Sequence, residues 1–71
     1  MRDVELMCEP VELFKILKFE GLVGSGGEAK AAVADGQVKV NGAVETRKRR
    51  QMVSGDVVEF AGQRLRLRLG A

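Results

Sequence analysis

The segment Arg64-Leu65-Arg66-Leu67-Arg68-Leu69 alternates strictly between charge and hydrocarbon. A period of two places Leu65, Leu67 and Leu69 on one side of the chain and Arg64, Arg66 and Arg68 on the other. Such a segment is a β-strand with one face buried, so the rest of the chain must supply what covers the leucines. Only 71 residues are available, enough for one small domain with one core and too few for a large internal ligand cavity. The outward arginines read either as the polar face of any solvated strand or as a basic stripe with a partner. Both readings stay open at this point.

The cover is found earlier in the chain. Arg2 to Met7 alternates and reads as a short strand. Glu9-Pro10 marks a helix start, because proline fits the first turn, where its missing N–H is not needed. The helix is expected over residues 11–20, with Leu13, Ile16 and Leu17 at helical spacing, Phe14 and Phe19 in the core, and Lys15 and Lys18 sharing another face. Gly21 ends it. The glycine-rich stretch from Gly21 to Gly27 joins helix to helix. Ser25 is the expected N-cap, with Glu28 at capping-box spacing. A second helix over 28–35 buries Ala29, Ala32 and Val33 and closes at Gly36. Strands follow at Gln37–Val40, with Val38 and Val40 inward, and at Ala43–Glu45. Between them stands Asn41-Gly42, two residues that accept the positive φ of a type I′ turn. Ser54-Gly55-Asp56 and Ala61-Gly62-Gln63 are turns on either side of a strand at Val57–Phe60. The sum is a single α+β domain over residues 1–71, a helix-turn-helix hairpin packed on a short, mostly antiparallel sheet.

Several chemistries are excluded by residue type. The chain has no histidine, which removes the commonest general base and the commonest zinc ligand. Its single cysteine, Cys8, cannot close an internal disulfide and reads as a small hydrophobe near the sheet edge. The spacing from Gly21 to Gly26 resembles a phosphate loop, but Gly27 and Glu28 stand where lysine and a hydroxyl residue are required. A helix, not a strand, precedes these glycines. No catalytic residue, metal or cofactor is expected, and the chain is read as a non-enzyme. No apolar run is long enough for a membrane span or an export signal, so a cytoplasmic protein without membrane partners is expected.

The net charge of +2 hides an uneven distribution. Residues 1–28 hold three basic and six acidic groups, residues 29–71 nine basic and four acidic. Arg47, Lys48, Arg49 and Arg50 are consecutive. A like-charged block repels itself unless counter-charge meets it, so it is either a solvated loop or a seat for a polyanion. With only three phenylalanines and no Tyr or Trp, stacking platforms for single strands are scarce. Structured RNA, read through backbone and shape, is the expected polyanion. Lys30, Lys39, Arg47, Lys48, Arg49 and Arg50 are the expected phosphate contacts. Ser25, Gly26 and Gly27 could add hydrogen bonds to the RNA backbone, with Lys15 and Lys18 at the periphery.

The order helix, turn, helix, then Gly36-Gln37-Val38-Lys39-Val40-Asn41-Gly42 resembles the S-four (αL motif) RNA-binding domain of ribosomal proteins, pseudouridine synthases and bacterial tyrosyl-tRNA synthetases. The resemblance rests on Ser25, Ala29, Lys30, Gly36, Val38, Lys39, Val40, Asn41 and Gly42, with Ser54-Gly55-Asp56 as the later glycine-aspartate turn. Lys18-Phe19-Glu20-Gly21, Ser25-Gly26-Gly27 and Val44-Glu45-Thr46-Arg47-Lys48-Arg49 resemble in particular the stand-alone bacterial YbcJ-type members. It covers about residues 11–62. It implies a non-catalytic, monomeric protein that binds structured, rRNA-like or tRNA-like RNA and meets ribosomal particles. The arginine that usually follows the serine is Gly26 here, and Glu12 and Phe14 stand where arginine and aspartate often open the first helix. The alternative reading is a protein-interaction adaptor in ribosome assembly that docks on an acidic protein surface, and DNA is a third candidate ligand.

Overall fold

The computed structural model describes residues 2–6 and 10–69; Met7, Cys8 and Glu9 lie outside the described residues, and with them the end of the first expected strand and the reading of the thiol. Strands β1 (Arg2–Leu6), β3 (Lys39–Val40), β4 (Ala43–Val44), β6 (Val57–Phe60) and β7 (Gln63–Leu69) form one sheet in the order β1-β7-β6-β3-β4. Only β1 and β7 run parallel; the remaining pairs are antiparallel. Helices α1 (Leu13–Phe19) and α2 (Gly26–Ala34) cover one face. Two short strands, β2 (Val11–Glu12) and β5 (Gln51–Met52), pair separately beside them. The α+β architecture expected from the sequence is the one observed. Among the described residues no helix is long and apolar enough to cross a membrane.

The alternating segment behaves as its pattern requires. Leu65 and Leu67 are buried in one cluster with Leu13, Ile16, Leu17, Val33, Val58 and Met52, while Arg64, Arg66 and Arg68 face solvent on the open side of the sheet. The Leu69 side chain lies outside what is described. The strand is not an edge but lies between β1 and β6, which is why both its neighbours had to be found elsewhere in the chain. Its arginines meet acids there: Arg64 pairs with Glu59 at 2.8 Å, and Arg66 and Arg68 each lie 3.8 Å from Asp3. Val38 and Val40 point into the core as expected. Asn41 and Gly42 take φ of 52° and 87°, the paired positive values of the hairpin turn. The Asn41 side chain also bridges to the next strand, accepting the Val57 N–H at 2.9 Å and donating to Asp56 at 3.1 Å.

Several local readings change, and the expected strands at Gln37–Val40 and Ala43–Glu45 shorten to Lys39–Val40 and Ala43–Val44. Helix α1 begins at Leu13 rather than beside Pro10, because Val11 and Glu12 are extended and pair with Met52 and Gln51. Helix α2 begins at Gly26, directly after Ser25, whose hydroxyl accepts the Glu28 N–H at 3.2 Å. The Glu28 carboxylate reaches back to the Gly24 N–H, one residue before the capping-box donor. Gln63 belongs to β7 and not to the preceding turn. Phe19, expected in the core, is 60% exposed; α1 is so short that its buried stripe is filled by Leu13, Phe14, Ile16 and Leu17.

Candidate nucleic-acid interface

The basic run is a strap laid across the start of α1. The first N–H groups of a helix have no partner within it, and Glu12, at the cap position, offers none from its side chain. Here the strap supplies them: the Leu13 N–H donates to the Arg50 carbonyl at 3.0 Å and the Phe14 N–H to the Lys48 carbonyl at 3.1 Å. The strap is itself a tight turn, closed by the Arg50 N–H donating to the Arg47 carbonyl at 3.1 Å. Beyond it, β5 pairs with β2 and sinks Met52 fully into the core. Backbone bonds and one buried side chain therefore fix four consecutive cations in place.

Two carboxylates keep those cations from repelling one another. Glu45, 8% exposed, accepts from the Arg47 backbone N–H and Nε, each at 3.0 Å, and from Arg50 Nη1 at 2.8 Å. Glu12 accepts from Arg49 Nη1 and lies against Lys15 Nζ, both at 3.0 Å. Hydrogen bonds from Arg47 and then Arg50 pull the Glu45 carboxyl down to about 2. Those from Lys15 and Arg49 lower that of Glu12. A depressed carboxyl stabilises the fold above its unfolded value and loses that contribution as pH falls through the folded one. Glu45 therefore supports the strap at neutral pH and lets go between pH of about 4.5 and about 2. Acid titration followed through the Arg47 and Arg50 side-chain N–H signals should show their bonds to Glu45 opening in that window, and a Glu45→Gln chain should lack that transition.

Phe14 joins strap to hairpin. Its ring has Lys30 Nζ at 5.0 Å and the Arg49 guanidinium at 5.7 Å from the centroid, distances at which a cation is attracted to the ring face. Lys30 from α2 and Arg49 from the strap thus meet at one residue of α1. Lys18 lies one helical turn beyond Phe14, and Gly26 one turn before Lys30, so both border the same region. A Cβ on Gly26 would meet nothing within 4 Å, so the surface beside the α2 cap is open there. Gly27 is exposed, and Ser25 is engaged as the α2 cap. Lys15, Lys30, Arg47, Lys48, Arg49 and Arg50 gather around the start of α1, and among the described residues Glu12 and Glu45 are the acids paired with them. Among the described residues Lys18, Lys30, Lys39 and Lys48 form no ion pair.

Lys39 stands apart from this group. Its neighbours Val38 and Val40 are buried beneath the helices, so Lys39 projects from the opposite face of the sheet, level with Glu59. The strict alternation that made Lys39 outward did not say which side of the molecule outward would be. Conversely, sequence reasoning gave Glu12 and Glu45 no part in the site, placed Phe14 only in the core, and missed β5. A two-residue strand leaves no periodic signal, and an acid two positions before an arginine is unremarkable in any charged loop.

This fold and sequence match those of known proteins. The S4 domain model matches residues 4–68. The chain belongs to the S4 domain family. This S4 domain is 62% identical over 52 residues to YbcJ of Escherichia coli (strain K12), a match spanning 73% of this chain and 74% of that protein. It superposes on the solution structure of YbcJ from E. coli with a TM-score of 0.71 and 51% identity, covering 94% of this chain and 86% of the other. That structure is described as revealing an αL motif involved in RNA binding. A protein of Bacillus subtilis (strain 168) named "Probable ribosome maturation protein RlbA" is 34% identical over 59 residues, covering 83% of each chain. The matched residues 4–68 take in most of β1 and nearly all of β7 as well as both helices.

Proposed function

We propose that this S4 domain is a non-catalytic RNA-binding protein that holds structured RNA, rRNA-like or tRNA-like, on the face where the strap crosses the αα-hairpin. The observation that carries the reading is the convergence of six cations from α1, α2 and the strap around the start of α1, with their backbones anchored before any ligand arrives. Cations held in this way neutralise phosphates and release condensed counterions, which supplies affinity without reading bases. The αL motif of YbcJ, described as involved in RNA binding, supports the ligand class, and the name of RlbA supports a ribosomal setting. Lys15, Lys18, Lys30, Arg47, Lys48, Arg49 and Arg50 are assigned to phosphates, and Ser25, Gly26 and Gly27 to the flank of the same face. Lys39 is left at most with a separate contact on the far side of the sheet. No specific observation favours the adaptor reading.

The test is crosslinking in the native cell with sequencing of bound RNA, paired with titration of a labelled RNA stem-loop at several salt concentrations. Recovery of rRNA or tRNA segments and a steep fall of affinity with salt are expected. A stoichiometric protein complex that survives nuclease treatment, with no salt-sensitive RNA binding, would overturn the reading in favour of a protein adaptor.

A further inference from the structure

Glu45 presents a contradiction if the strap binds RNA. A carboxylate in the middle of a phosphate-binding surface repels the ligand, yet this one is almost wholly buried among the cations that would make the contacts. Its geometry resolves the contradiction. The Glu45 N–H donates to the Val38 carbonyl at 2.9 Å, which ties the residue to the end of the sheet. Oε2 takes both the backbone N–H and Nε of Arg47, while Oε1 takes Arg47 Nη2 at 3.2 Å and Arg50 Nη1 at 2.8 Å. The carboxylate thus engages Arg47 through two parallel N–H bonds, the arrangement that fixes a guanidinium plane as well as its position. A guanidinium carries five N–H donors. Two of those of Arg47 and one of Arg50 are turned inward to Glu45, so the remaining donors of each fork are directed away from it. The Arg47 side chain stays 75% exposed. Arg47, Arg49, Arg50 and Gln51 line one shallow groove of about 640 Å³, and Arg49 is held there by a single bond from Nη1 to Glu12 at 3.0 Å.

We infer that Glu45 is a positioning residue for RNA, an internal counter-charge that sets the Arg47 and Arg50 forks at the groove so that their outer edges receive successive phosphodiester oxygens. This rests on the RNA-binding reading above and deepens it. Long basic side chains are otherwise free to rotate, and ordering them opposes association. Three guanidinium groups within four residues would in addition splay apart by repulsion. Glu45 meets both costs before the ligand arrives, at the expense of one negative charge that the forks screen from the groove.

The expected effect of removing this carboxylate is opposite in sign to that of simple electrostatics. Glu45→Gln removes a negative charge from the site and leaves every cation, so a carboxylate that merely happened to sit there would give tighter RNA binding when replaced. A positioning carboxylate gives weaker binding, by about fivefold or more for two arginines released to rotate. Both chains are titrated against a labelled RNA stem-loop across salt concentrations, while the Leu13 and Phe14 amide signals report whether the strap remains docked on α1. Weaker binding with those amides unmoved supports positioning. Equal or tighter binding by Glu45→Gln, with the unaltered chain binding normally, overturns it and leaves the RNA reading intact. Failure of the unaltered chain to bind in a salt-dependent way removes both. Should Glu45→Gln disturb the strap, Arg47→Lys keeps the question decidable, since lysine retains charge but cannot form the fork. Undiminished affinity in Arg47→Lys overturns the inference, and a drop of similar size supports it.

Discussion

A chain carrying Lys30→Glu and Lys48→Glu should bind structured RNA roughly 100-fold more weakly, about tenfold for each reversal. Each change takes a cation away from a phosphate and puts a repelling charge in its place. The slope of log affinity against log salt should fall by about 1 for each phosphate no longer neutralised. These two positions are chosen because the fold does not depend on them. Neither lysine is ion-paired among the described residues, and Lys48 enters the scaffold only through its carbonyl, which any residue supplies. Lys30 gives up its place over the Phe14 ring, worth about 0.5–1 kcal/mol. The thermal midpoint should therefore move little while affinity collapses. Reversal of Arg47 and Arg49, the obvious choice from sequence alone, is a poorer probe, because it would set new carboxylates against Glu45 and Glu12. Unchanged affinity in the Lys30/Lys48 double variant would place the RNA elsewhere.

Met52→Ala should cost about 2–5 kcal/mol of stability. Met52 is fully buried and packs within the cluster that includes Leu13, Ile16 and Leu67. A domain of this length has a total stability of roughly 4–10 kcal/mol, so this cost takes a large share. It should also act on function ahead of global unfolding. Met52 is the only side chain of β5 in the core, and β5 is what holds the far end of the strap against β2. Thermal unfolding should show the drop, and the Leu13 and Phe14 amides should lose protection before those of β6 and β7. Met52→Leu, nearly equal in volume, should cost less than about 1.5 kcal/mol and keep RNA affinity. A fully stable Met52→Ala chain would mean that the strap is held by its backbone bonds alone.

These two experiments separate the cations from the frame that holds them, and the sequence was informative about the first more than the second. The run Arg47–Arg50, the lysine on α2 and the turns at Asn41-Gly42 and Gly55 are local features, readable because charge, φ preference and period act over a few residues. Gly55, with φ of 96°, and Gly36, with φ of 75°, turn where the sequence placed their turns. The frame depends on contacts between distant segments. Val11–Glu12 leaves the helical path only because Gln51–Met52 lies beside it, and Pro10 tolerates either conformation. Phe19 looked like core at helical spacing because nothing in the sequence says how few hydrophobic residues a seven-residue helix needs to fill its buried face.

By itself the sequence determined an α+β domain, the inward faces of its longer strands, the caps of its second helix, and a concentration of positive charge after the Asn41-Gly42 turn. Each of these follows from hydrophobic period or backbone preference, which act before the chain is folded. The tertiary structure alone decided that the basic run would cap α1, that Glu45 and Glu12 would lie inside it, that Lys30 and Arg49 would share the Phe14 ring, and that Lys39 would face the other way. The reason is physical. Sequence patterning tells a side chain to be in or out, but charges act through distance, and the distances between these groups exist only once the sheet, the hairpin and the strap have packed.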